Sequence, residues 1–121
     1  MKVSRLSKKA LFHILRGKVS EKTTCVIKFY SNNCHYCVAL HDPYTELSNE
    51  FEDIHFFAFN IRDNPSIEKR LKFNGVPTIS LIQTKASQKN AKIRTMPDPD
   101  SPNEHTWYYV KDIKDFIKRE R

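Results

Sequence analysis

The sequence predicts an α/β protein in which strands and helices alternate before two consecutive strands and a closing helix. Three observations carry that expectation. β-Branched and aromatic residues gather in short runs, "TTCVIKFYS" (23–31), "IHFFAFNI" (54–61) and "NGVPTISLIQ" (74–83). The segments between these runs space their apolar residues as helices do. The length of 121 residues, 39% of them hydrophobic and 12% aromatic, suits one domain (1–121) with a modest core.

The elements follow in order. A short strand is expected near 2–6. Ser7 caps a helix that carries Ala10, Leu11, Ile14 and Leu15 on one face and is closed by Gly17. The run 23–31 reads as a buried strand. The next helix spaces Val38, Leu40, Tyr44, Leu47 and Phe51 and contains Pro43, which removes one backbone hydrogen bond and predicts a kink. After strand 54–61, Asn64-Pro65 offers a cap followed by proline at the first helical position, with the helix reaching about Phe73. A turn leads into strand 74–83, and a fifth strand lies near 92–96. The last helix runs from Val110 to Glu120 with Val110, Ile113, Phe116 and Ile117 inward. Between these two stands a polar insertion, 97–106, "PDPDSPNEHT", with three prolines. The whole describes a mixed sheet covered on both faces.

Composition removes several function classes. No apolar run approaches the roughly 20 residues needed to cross a bilayer. The basic start, MKVSRLSKKALFHILRGK, has a short apolar patch interrupted by His13 and no small-residue cleavage site, so no signal peptide is read and a cytoplasmic protein is expected. The formal charge of +7 is spread along the chain among 14 acids, without a basic stripe or nucleic-acid motif. Acidic partners suit it better than nucleic acid. Three cysteines are too few for a disulfide framework.

Two of those cysteines form Cys34-His35-Tyr36-Cys37. A structural zinc needs about four ligands, and neither Cys25 nor His35, His41 or His55 supplies a second pair at a matching spacing. No metal and no bound cofactor is therefore expected. Redox chemistry asks for something the sequence does supply. Cys34 stands where a strand ends and a helix begins, where free N–H groups and the helix dipole favour an anion. The thiolate is that anion and the nucleophile of disulfide exchange. A two-residue spacer puts Cys37 one turn further along, able to resolve a mixed disulfide. In "GVPT", the Val76–Pro77 bond precedes a strand and is a candidate cis peptide. If that strand runs antiparallel to 24–30, Pro77 comes beside Cys34.

Over nearly its whole length the chain resembles the thioredoxin family. "VIKFYSNNCHYC", the proline-containing helix after it, "FNIRDNPSIEKRLKFNGVPTISL" and the closing helix carry the resemblance. It implies a thioredoxin fold, a mixed five-stranded sheet flanked by four helices. It also implies a protein-disulfide oxidoreductase that passes electrons through Cys34 as nucleophile and Cys37 as resolving thiol. Val76 and Pro77, with His35 and Tyr36, would form the substrate groove. Four departures stand out. His35-Tyr36 is not the usual pair between the cysteines, and an imidazolium at His35 would stabilise the Cys34 thiolate. Asn33 replaces a tryptophan. Lys28 stands where the family places a buried acid. It is read as tuning Cys37 when charged, acting as a base when neutral, or reaching the surface without a chemical role. The insertion 97–106, with Asp98, Asp100 and Glu104, is read as a loop that restricts substrates. Cys25 is read as core, and Trp107, Tyr108 and Tyr109 as anchors of the insertion and last helix.

The expected activity is reduction of protein disulfides by a monomer, recycled by a reductase or a thiol pool. Oxidase or isomerase chemistry is the variant that His35 encourages. A binding module supporting a larger complex is the alternative from another class.

Overall fold

A computed structural model describes residues 3–86 and 90–121. The chain runs β1 (Val3–Arg5), α1 (Lys8–Leu15), β2 (Thr23–Tyr30), α2 (His35–Ser48), β3 (His55–Asn60), a 3-10 turn (Ile61–Asp63), α3 (Ile67–Leu71), β4 (Thr78–Thr84), β5 (Lys92–Thr95) and α4 (Val110–Glu120). Lys2, placed in the first strand by the sequence, lies outside the described residues.

The five strands form one sheet in the order β1-β3-β2-β4-β5. β1, β3 and β2 are parallel, as expected of strands joined through helices, while β4 runs antiparallel to β2 and β5 antiparallel to β4. Alternation along β2 divides the core in two. Cys25, Ile27 and Phe29 face a cluster with Leu11, Ile14 and Leu15 of α1 and Ile67 of α3. Val26 faces the opposite cluster, with Leu40, Tyr44 and Leu47 of α2 and Ile113, Phe116 and Ile117 of α4. Each such fully buried aliphatic side chain contributes about 1.5–3 kcal/mol by leaving water. A run that is buried on both faces loses the polar alternation of a half-exposed strand, which is why 25–29 carries apolar residues on both faces with Lys28 as the exception.

Local chemistry fixes the helix ends. The Ser7 hydroxyl accepts from the Ala10 N–H at 3.1 Å, and Gly17 adopts φ 69° after the last turn of α1. The expected helix from Asn64 is shorter than the sequence implies: it starts at Ile67, behind Ser66, and ends at Lys72, which adopts φ 60°. Residues 61–63 form a 3-10 turn, and the Ile67 N–H donates to the Asn64 carbonyl at 3.0 Å. Local turn hydrogen bonds thus replace the first helical turn.

Candidate redox site

β2 delivers the site. It ends at Tyr30, and after Ser31, Asn32 and Asn33, Cys34 caps α2 in an extended conformation (φ −98°, ψ 106°). The short connection is pinned from beside it: the Asn60 amide, at the buried end of β3, donates to Asn32 Oδ1 at 3.0 Å. Asn60 Oδ1 in turn accepts from the Arg62 N–H at 3.0 Å.

Cys34 and Cys37 are joined as a disulfide, with their Cα atoms 5.2 Å apart. Their exposures differ: Cys34 is half-buried and Cys37 is 3% exposed. Only Cys34 can be approached by a protein substrate. The Cys37 N–H points at Cys34 Sγ at 3.1 Å. It is one of the free N–H groups that open α2, so a Cys34 thiolate would receive a hydrogen bond as well as the favourable end of the helix dipole.

The turn before β4 approaches from the other side. Phe29 pairs with Thr78 in the antiparallel register, which brings residues 75–77 to the mouth of the site. The Val76–Pro77 bond is cis. Pro77 is buried, and the Val76 carbonyl oxygen lies 3.7 Å from Cys34 Sγ. In the disulfide this is a contact, since the sulfur carries no proton. Gly75 takes φ 93°, where a side chain would be strained. Its N–H donates to Glu68 Oε2 at 2.7 Å and its carbonyl accepts from the Thr78 hydroxyl at 2.7 Å. α3 therefore holds the turn that holds the site.

Lys28 departs from the surface-reaching alternative. The residue is 3% exposed and its amine faces a cavity, not the outer surface, 5.2 Å from the centre of the Tyr44 ring and 5.8 Å from that of Tyr30. No hydrogen bond or ion pair holds it among the described residues. Burial lowers its pKa to about 8. It lines a cavity of about 580 Å³ that also reaches Cys37, Val38 and His41. The period-two geometry of β2 accounts for this: Lys28 shares Val26's face, under α2.

His35 is exposed and its ring stacks on Tyr36 at 4.3 Å between centroids. Tyr36 also meets Trp107, at 5.4 Å. This contact was not foreseen. The sequence marks Trp107 as an anchor of the insertion, and it does pack against the α2–α4 core. It also places the chain's one tryptophan against the motif. Asn103 and Trp107 exchange backbone hydrogen bonds of 2.9 and 3.0 Å, and Trp107 adopts φ 67°. Tyr108 is buried as expected, whereas Tyr109 is 48% exposed and stands at the N-cap of α4. Asp98, Asp100 and Glu104 are exposed. Cys25 lies in the core, and burial pushes its thiol up to about 12, so it stays protonated and inert. His41 and His55 are exposed, and no cluster with the makings of a metal site occurs among the described residues. No described helix is long and apolar enough to cross a membrane.

Residues Asn60, Glu68 and Trp107 were the ones sequence reasoning missed. Asn60 and Trp107 act through partners distant in the chain, and Glu68 through a turn seven residues on; for Asn60 and Glu68 only the nearby Asn-Pro and Gly-Val-Pro turns signalled that backbone groups would need such partners.

The fold is shared with proteins of known structure. A J-Trx1 fragment of ERdj5 matches with a TM-score of 0.66 at 16% identity, over 98% of this chain and 49% of that one. This chain thus spans about half the length of that fragment. The mitochondrial thioredoxin 3 of Saccharomyces cerevisiae, in its oxidised form, matches at 0.66 and 18% identity, over 97% and 94% of the two chains. A structure of the ferredoxin:thioredoxin reductase and thioredoxin f2 complex matches at 0.69 and 21%, over 98% and 94%. No curated protein matches the chain in sequence. At these identities the structural likeness speaks for the fold. The thioredoxin family model matches residues 4–98, a span that contains the disulfide, Lys28 and Pro77. With that match and its Cys34–Cys37 pair, the chain belongs to the thioredoxin family and is a thiol–disulfide oxidoreductase.

Proposed function

We propose that the protein reduces disulfides of other proteins, with Cys34 as nucleophile and Cys37 as resolving thiol. The difference in exposure between the two sulfurs carries this reading. The half-buried Cys34 thiolate attacks one sulfur of a substrate disulfide; that S–S bond breaks and the other substrate sulfur leaves as a thiolate. The buried Cys37 then attacks Cys34 Sγ, releasing the second substrate sulfur and leaving the Cys34–Cys37 disulfide. Two electrons and two protons pass to the substrate, so the reaction needs no bound cofactor.

The groove that receives the substrate is formed by Val76 and Pro77 on one side and His35 and Tyr36 on the other. Pro77 has no N–H, which leaves the Val76 carbonyl and neighbouring backbone free to pair with an extended chain. Lys28 assists the second step: its charge, facing the cavity that Cys37 also lines, favours the Cys37 thiolate. Recycling falls to a reductase or a thiol pool. The occurrence of a reductase complex among the structural neighbours supports such a partner. The setting this reading requires is a reducing compartment such as the cytoplasm, with the protein acting as a monomer.

Substitution separates the roles. Cys34→Ser abolishes turnover of a protein disulfide and leaves no mixed disulfide. Cys37→Ser also stops turnover but accumulates a mixed disulfide through Cys34, visible by non-reducing electrophoresis. Trapping through Cys37 instead would overturn the assignment, and retention of the biological effect by the double variant would favour the binding module. The direction of electron flow is read from the reduction potential. A value near −270 mV fits a reductase, and one near −180 mV or above fits an oxidase or isomerase, the variant that Lys28 and His35 would encourage.

A further inference from the structure

Behind the disulfide, the cavity lined by Lys28 has features beyond the support for Cys37 proposed above. Its floor carries an ammonium group with no counter-ion among the described residues. The nearby charges are committed elsewhere. Arg5, on the β1 side, is paired with Asp63 at 3.0 Å. Asp42, on the α2 rim, is largely in water and paired with His41 at 2.9 Å. The Tyr30 and Tyr44 rings near the ammonium offset part of its lost hydration through their faces, but they bear no net charge. A cation that faces the cavity with only rings beside it lacks the anionic partner that largely buried charges otherwise have.

The walls say what would complete it. Tyr30, Val38, Val3 and Ala58 offer aromatic and aliphatic surface beside the Lys28 ammonium, and the Arg5 guanidinium, paired with Asp63, also lines the cavity. The volume of about 580 Å³ lies within the range of small-molecule sites. A lining whose apolar surface stands beside an unpaired ammonium favours an organic anion over an inorganic one, since the body gains burial while the anionic end gains the ion pair. We propose that this cavity is a binding site for a small aromatic monocarboxylate whose carboxylate pairs with Lys28 and whose ring lies against Tyr30 and Val38.

The site shares Lys28 with the second redox step proposed above, so its test is made on the oxidised protein, where Cys37 carries no charge to compete. Benzoate is titrated into the disulfide form at pH 7, followed by calorimetry and by amide NMR shifts. Saturable 1:1 binding is expected with Kd on the order of 1 mM, with the shifts centred on Tyr30, Val38 and Thr45. Acetate, with the same charge but no ring, is expected to bind roughly tenfold more weakly. Lys28→Met, which keeps the stem and removes the charge, is expected to weaken benzoate at least about tenfold. Val38→Asp, an exposed substitution on the rim that leaves the core intact, is expected to weaken it about threefold by repulsion. Affinity falls above pH 8 as Lys28 loses its proton; Arg5, Tyr30, His41, Asp42 and Tyr44 are the other ionisable groups facing the cavity. Absence of saturable binding, equal binding of acetate and benzoate, or unchanged affinity in both variants would each overturn the proposal.

Discussion

Lys28 is the residue where the fold bears a cost. Its charged form is removed from water without an ion-pair partner among the described residues, and burial lowers its pKa from 10.5 to about 8. The sign follows from linkage. At pH 7 the amine is protonated in both folded and unfolded chains, so the folded state bears the full penalty, at most about 3 kcal/mol. As pH rises from 8 towards 10.5, the folded protein has released that proton and the unfolded chain has not, so the penalty disappears. Lys28→Met is therefore expected to raise stability at pH 7 by about 1–3 kcal/mol. It should also remove the rise in stability that wild type shows relative to the variant between pH 8 and 10.5. Urea unfolding of the two proteins at pH 7 and pH 10 measures both effects; a destabilised variant at pH 7 would contradict the argument. The sequence showed a lysine inside an apolar run but not where its amine ended. The strand period sets the face, whereas the space under α2 depends on how that helix crosses the sheet. Cys34 and Cys37 needed no such knowledge, because a strand-to-helix junction and a two-residue spacer are local properties.

At the level of elements, two segments position the site from a distance. The first is α3 with the turn behind it. Glu68 holds the Gly75 N–H, and Gly75 occupies a backbone region that a side chain strains. Nothing lies within 4 Å of the place where a Cβ would sit, so Gly75→Ala tests backbone strain without steric crowding. It is expected to cost about 1–2 kcal/mol. By shifting the Val76 carbonyl it should also lower kcat/KM for a protein disulfide more than the stability loss explains, as a comparison of urea unfolding with insulin reduction would show. The shortened α3 was not legible, because Asn64-Pro65 fits a helix start and a turn equally well. The second segment is the insertion, whose composition announced a loop and nothing more. Its contribution is Trp107, set against Tyr36 by the paired backbone of Asn103 and Trp107. A large aromatic at the edge of a groove adds contact area for a protein substrate and little for a small one. Trp107→Ala is thus expected to lower kcat/KM for a protein disulfide about tenfold while leaving a small aromatic disulfide within about twofold. An equal loss on both substrates would mean that Trp107 supports the fold of α2 instead.

For the molecule as a whole, topology was readable because the order of strands and helices leaves few arrangements. The antiparallel pairing of β2 with β4, which brings residues 75–77 to Cys34, was foreseen only as a condition, since register depends on contacts between distant residues. Net charge is a property of the whole chain too, and it acts on encounter, not on fold. The charge of +7 is spread along the sequence among 14 acids, so it acts as a net field. The summed field still favours acidic substrates until salt screens it. The screening length falls from about 30 Å at 0.01 M to about 8 Å at 0.15 M, so long-range attraction present at low salt is mostly lost at the higher. The second-order rate constant for an acidic protein disulfide is accordingly expected to fall several-fold across that range, more than for a neutral small disulfide. Stopped-flow measurement with both substrates isolates the effect, because the chemistry at Cys34 is common to the two. Equal salt dependence would place the electrostatics at the sulfurs; a dependence confined to the acidic protein would assign it to the basic surface.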